Sequence, residues 1–150
     1  MNVAVRPIDG VYLCEQLDLP DLFGDAVARV SDLRLLTPSE VTDPASIRFA
    51  LAWRPAPDAF DAYPNLDLVQ VIAAGVDPVL RTPSLPKDVV VARVHDPEQA
   101  AIMAGFAAWQ VVWHHRNMQA YLDAAHRNEW TRKLIKTLRP PSQVTVGILG

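Results

Sequence analysis

The chain has 150 residues, half of them hydrophobic, and a formal net charge of −3. That length suits one domain burying roughly 70% of its unfolded surface, and the slight acidity argues against nucleic acid, whose phosphates select basic surfaces. The single cysteine, Cys14, cannot form an intrachain disulfide, and no apolar stretch matches a signal peptide or the about 20 residues that cross a bilayer, so the sequence predicts a cytoplasmic protein with no membrane partner.

Apolar runs at residues 2–6, 32–36, 48–53, 68–73 and 89–94 predict five strands. Phe49-Ala50-Leu51-Ala52-Trp53 and Val89-Val90-Val91-Ala92 are nearly continuous apolar strings. Strands covered on both faces read that way, as in a parallel sheet between helices. Residues 20–30, 57–63 and 77–81 carry helix-start signals. Pro20-Asp21 and Pro57-Asp58 place proline and an acid in a first turn, where the missing N–H costs little and the helix dipole favours negative charge. This alternation predicts an α/β domain with a doubly wound parallel sheet.

A different segment follows. Asp96-Pro97-Glu98 supplies a cap, and helix formers then dominate to about residue 128. A helix over residues 97–128 would run about 45 Å. Its apolar side carries Ile102, Phe106, Trp109, Val112, Trp113 and Met118, so it calls for a second surface, either a following domain or another subunit. Arg139-Pro140-Pro141-Ser142 reads as a stiff linker. Val144-Thr145-Val146-Gly147-Ile148-Leu149-Gly150 then reads as a strand entering a glycine. Dinucleotide-binding βαβ units open in this way, with glycines spaced G-x-G-x-x-G leading into a helix N-terminus that takes the pyrophosphate. Gly150 would be the first of those glycines, and the sequence predicts a chain truncated there.

In open α/β sheets ligands bind beyond the carboxyl ends of the strands. That rule selects Trp53-Arg54, Ala74-Gly75-Val76-Asp77 and His95-Asp96. At the second place, a glycine between a strand end and a helix start exposes successive N–H groups able to hold a carboxylate. The same glycine also suits a plain tight turn. Trp53 fits either a pocket wall or the core. Arg54 can attract an acid or lie solvated beside Pro55. Asp96 reads first as a helix cap, and Met103 as packing. His114 and His115 point about 100° apart on a helix and His95 and His126 are remote, so no metal site is expected. No nucleophile–base arrangement stands out.

The segments Phe49-Ala50-Leu51-Ala52-Trp53-Arg54-Pro55, Leu66 to Asp77 with Ala74-Gly75-Val76-Asp77, Arg93-Val94-His95-Asp96, the long helix with Gln110 through Tyr121 and Trp130, and the terminal Val146-Gly147-Ile148-Leu149-Gly150 resemble the D-isomer-specific 2-hydroxyacid dehydrogenases, in particular the glyoxylate/hydroxypyruvate reductase A branch. The resemblance runs from about residue 45 to Gly150. Gly105, where the family commonly has glutamate, and Pro97-Glu98-Gln99, replacing a glycine-containing turn, depart from it.

The resemblance implies a flavodoxin-like substrate domain at 1–96, a long interdomain and dimerisation helix at 97–128, a linker at 129–143 and the first strand of an NAD(P)-binding domain at 144–150. It implies that Ala74, Gly75 and Val76 hold the substrate carboxylate and that Trp53 lines the pocket. Met103 would face the nicotinamide, and Gly150 would begin the cofactor site. NADPH or NADH would pass hydride to a 2-oxoacid such as glyoxylate or hydroxypyruvate. The arginine, glutamate and histidine that complete the chemistry belong to the family's following domain and match no position here, so these residues alone are expected to be inactive. The rival expectation is a non-catalytic interaction or small-carboxylate-binding protein that self-associates through its long apolar helix.

Overall fold

In a computed structural model that describes residues 7–130 and 139–149, the chain divides into two units, Met1–His95 and Asp96–Gly150. The first contains β1 (Ile8–Cys14), α1 (Leu19–Val27), β2 (Leu33–Leu36), β3 (Ile47–Trp53), β4 (Leu68–Val71), α2 (Asp77–Leu80) and β5 (Val90–Ala92). All four ladders are parallel and the strand order is β2-β1-β3-β4-β5. This is the flavodoxin-like order, with crossovers leaving the β1/β3 pair in opposite directions.

The register explains which side chains form the core. Val11, Ala50 and Val69 align across β1, β3 and β4, as do Leu13, Ala52 and Val71 one step further along. These rows face one side of the sheet, at most 5% exposed, and Phe60, Tyr63, Leu66 and Val79 cluster with them. Each fully buried valine, leucine or phenylalanine contributes roughly 1.5–3 kcal/mol. The opposite rows carry Phe49, Leu51 and Leu68. The Phe49 ring lies over Gly10, where any Cβ would collide with it. Helix α1 starts from an Asp18 cap, whose Oδ1 accepts the Asp21 N–H at 3.0 Å.

Several expected elements are placed differently. The first strand is Ile8–Cys14; the expected one at residues 2–6 lies outside the described residues. Within β1, Asp9 pairs with Arg34 across the β1–β2 register and Gly10 admits the Phe49 ring. Residues 57–63 form successive turns rather than a helix. Bonds three residues apart link Ala59 to Ala56, Asp61 to Asp58 and Tyr63 to Phe60, and they drop both aromatic rings into the core.

In the second unit the expected single helix is two. Helix α3 (Pro97–His115) ends before Asn117, which adopts φ 51°, and α4 (Met118–His126) follows. A left-handed residue interrupts the repeating helical bonds, and asparagine tolerates that conformation better than most. Residues 144–149 pair with no strand among the described residues. Their apolar sequence favours a sheet, but a strand exists only against a neighbour.

Candidate functional site

Parallel strands bring their carboxyl ends to one edge. Beyond β1 lie Glu15 and Gln16, beyond β3 Arg54, beyond β4 residues 72–76, and beyond β5 Arg93. The β1/β3 pair is the topological switch point, where diverging crossovers leave a crevice for a ligand. Cys14 and Trp53 stand side by side there in the ladder. Arg54 donates from Nη1 to Gln16 Oε1 at 3.1 Å and so joins the two strand ends across the crevice. Its guanidinium carbon is 5.6 Å from the centre of the Trp53 ring, within cation–π range. Trp53 is half-buried and packs against the core, so it serves as both core and wall.

Next to this crevice the chain leaves β4 through Ala74-Gly75-Val76. Three of the carbonyls here accept hydrogen bonds. Ala73 accepts from Val94 at 3.2 Å, Ala74 from Arg93 Nη1 at 3.4 Å, and Val76 from Val79 and Leu80, both at 3.0 Å. The N–H groups of Ala74, Gly75 and Val76 donate to no protein acceptor among the described residues. Ala74 and Gly75 are exposed. A Cβ on Gly75 would meet nothing within 4 Å, and its φ is not positive. Neither crowding nor backbone conformation requires glycine at this position. Its effect is to leave space above the free amides.

Arg54 is also held at φ 43°. Among the described residues, the other non-glycine residues with positive φ are Asn117 and Asn128, of the type that adopts this region most readily. For an arginine the conformation costs on the order of 1–2 kcal/mol. The sequence contains no signal for it, since a residue preceding proline is restricted toward extended backbone.

A cavity of about 320 Å³ near the switch point is lined by Tyr12, Cys14, Glu15, Ala56 and Tyr63, among others. Burial pushes the Tyr12 and Tyr63 phenols up, and the Glu40 charge adds to the effect on Tyr12. Both stay neutral hydrogen-bonding groups at neutral pH. A larger concavity, about 810 Å³, lies instead on the Phe49 face, between the sheet and α1. Its walls are mostly apolar, and the Arg48 and Asp67 side chains at its border pair with each other, with Arg48 Nε donating at 2.7 Å.

Asp96 caps α3, accepting the Glu98 N–H at 2.9 Å. Met103 is exposed on α3, and Gly150 lies outside the described residues. Among the described residues no cluster of three or more His, Cys, Asp or Glu could hold a metal, and no helix is long and apolar enough to cross a membrane.

No protein-family model and no curated protein matches the chain. Solved structures do. A D-isomer-specific 2-hydroxyacid dehydrogenase from Xanthobacter autotrophicus Py2, in complex with NADPH and MES, is 29% identical with a TM-score of 0.68, over 81% of this chain and 40% of that one. A probable 2-hydroxyacid dehydrogenase from Rhizobium etli CFN 42, in complex with NADP, HEPES and L(+)-tartaric acid, is 25% identical with a TM-score of 0.70, over 85% of this chain and 41% of that one. An NADPH-dependent glyoxylate/hydroxypyruvate reductase from Sinorhizobium meliloti, in complex with NADP and sulfate, is 29% identical with a TM-score of 0.66, over 82% and 40%. The chain thus spans about two fifths of each of these proteins.

Proposed function

We propose that this chain, which resembles the D-isomer-specific 2-hydroxyacid dehydrogenases in fold and sequence, is the substrate-binding portion of an NAD(P)-dependent 2-oxoacid reductase. The observation that carries the reading is the set of unengaged N–H groups at Ala74, Gly75 and Val76, on the edge where such sheets bind ligands. Free main-chain donors can hold a carboxylate without a counter-charge, through charge-assisted bonds. Trp53 closes the pocket and keeps water from the reacting carbon. Glyoxylate and hydroxypyruvate are the preferred substrates in this reading, since the matched reductase from Sinorhizobium meliloti is named for them.

A nicotinamide cofactor would supply the hydride. The described residues do not themselves fit a dinucleotide. They contain no G-x-G-x-x-G turn, and the N-termini of α1 and α3 are closed by Asp18 and Asp96, whose charges repel a pyrophosphate. Met103 on α3 would touch the nicotinamide side, and Gly150 would open the cofactor turn. No step is assigned through that group. The proton donor and the oxo-polarising arginine are assigned to no residue here, so these 150 residues alone should bind substrate without turnover. Residues 1–96 are then the substrate domain, 97–128 the helical segment that bridges and dimerises, 129–143 a linker and 144–150 the opening of a cofactor domain. A cytoplasmic homodimer acting on small acids, with no nucleic-acid or membrane partner, completes the reading.

Amide-resolved NMR titration with glyoxylate tests the site. The N–H resonances of Ala74, Gly75 and Val76 should move with saturable dependence on ligand. Shifts confined to other residues would refute the assignment, and NADPH oxidation by the purified 150-residue chain would refute its inactivity.

A further inference from the structure

The switch-point crevice carries a cation with no anion to answer it. Arg34, Arg48, Arg81 and Arg127 each face a carboxylate in an ion pair. Arg54 faces neutral Gln16, and Arg93 faces only the Ala74 carbonyl. Neither forms an ion pair among the described residues, and nor do Arg29, Lys87, Arg116 and Arg139. Asp77, the acid next to the amide cradle in sequence, is turned to Arg81 at 3.8 Å. Arg54 alone combines this lack of an anion with a strained backbone, at φ 43° on a residue that no turn chemistry favours. Strain retained at a binding edge points to a function the fold itself does not need.

We propose that Arg54 is a specificity-determining residue that selects substrates bearing a second negative charge beyond the gripped carboxylate. The inference rests on the reading of Ala74, Gly75 and Val76 as the carboxylate grip. Neighbouring strand ends are about 4.8 Å apart, so the edge from β1 to β4 is roughly 10 Å across, with β3 and Arg54 between them. Arg54 follows β3, one strand spacing from β4, so an acid held beyond β4 and extending toward the switch point runs toward it. Gln16 and Trp53 fix the guanidinium there by one hydrogen bond and one ring face, and neither neutralises it. A monocarboxylate places nothing charged at that point, so it gains only general attraction.

The test compares two acids of equal chain length, 2-oxopentanoate and 2-oxoglutarate, titrated into the 150-residue chain with the Gly75 amide as reporter. The parent should bind 2-oxoglutarate about three- to tenfold more tightly, and added salt should shrink the preference, because the second charge is solvent-accessible. Arg54→Asn keeps a residue tolerant of the left-handed backbone. It should abolish the preference and preserve or raise the melting temperature. Arg54→Lys should retain part of the preference. Equal affinity for the two acids in the parent, or a preference that survives Arg54→Asn, overturns the role of Arg54 while leaving the carboxylate grip intact. Absence of any Gly75 response to glyoxylate and to both longer acids overturns the grip, and this inference with it.

Discussion

Replacing Gly75 separates a glycine kept for the fold from one kept for an approaching anion. A Cβ at this position meets nothing within 4 Å, and φ is not positive. Gly75→Ala should therefore change folding stability by no more than about 0.5 kcal/mol, or raise it by up to about 1 kcal/mol through a narrower unfolded ensemble. Binding should respond in the opposite sense as the side chain grows. Hydrogen bonds from main-chain N–H groups to a carboxylate are worth about 1.5–3 kcal/mol each. Gly75→Val places two methyl groups in the space the anion needs and disturbs at least one such bond, weakening the complex about ten- to hundredfold. Calorimetry with glyoxylate and thermal melting of the parent, Gly75→Ala and Gly75→Val measure both quantities. A fall in Tm of more than about 5 °C for Gly75→Ala would make the glycine structural. Unweakened glyoxylate binding by Gly75→Val would mean that these amides do not hold the acid.

Phe60 is 2% exposed in the core cluster, so Phe60→Ala should cost about 3–5 kcal/mol in urea unfolding; a loss under about 1 kcal/mol would mean that the 57–63 turns do not anchor the sheet. Hydrogen bonds from Arg34, with Ser46 assisting, hold the Asp9 carboxyl below its ordinary value of 3.8. A depressed carboxyl contributes stability that is complete above the unfolded value and is lost as pH falls through the folded one. Melting temperature should thus drop on acidification below about pH 4, and Asp9→Asn should flatten that dependence; an unchanged pH slope in the variant would contradict it. Phe106, Trp109 and Val112 are each more than half exposed on α3, with the Trp109 ring 6.1 Å from Phe106 and 5.1 Å from Trp113. Such a patch should drive self-association, so light scattering at concentrations on the order of 100 μM should give a dimer for the parent and a monomer for Trp109→Glu. A monomeric parent would remove the interface.

The sequence by itself determined the parallel α/β class and four of the five strands. Apolar strings such as Phe49-Ala50-Leu51-Ala52-Trp53 suit only a strand covered on both faces, and that constraint is local. The turn at Ala74-Gly75-Val76 between β4 and α2 was also legible, because a glycine between a strand and a helix start is written in consecutive residues. What depends on distant partners was not legible. That β1 runs through Asp9-Gly10 depends on Arg34 and Phe49, which arrive from two other strands. Residues 57–63 look helical until the core claims Phe60 and Tyr63. The Gln16–Arg54 bridge joins residues 38 positions apart, and the left-handed backbone at Arg54 contradicts what the following proline suggests. Only the tertiary structure decided these features, because register and crossover geometry, which no short window of sequence contains, choose the neighbours of each strand end.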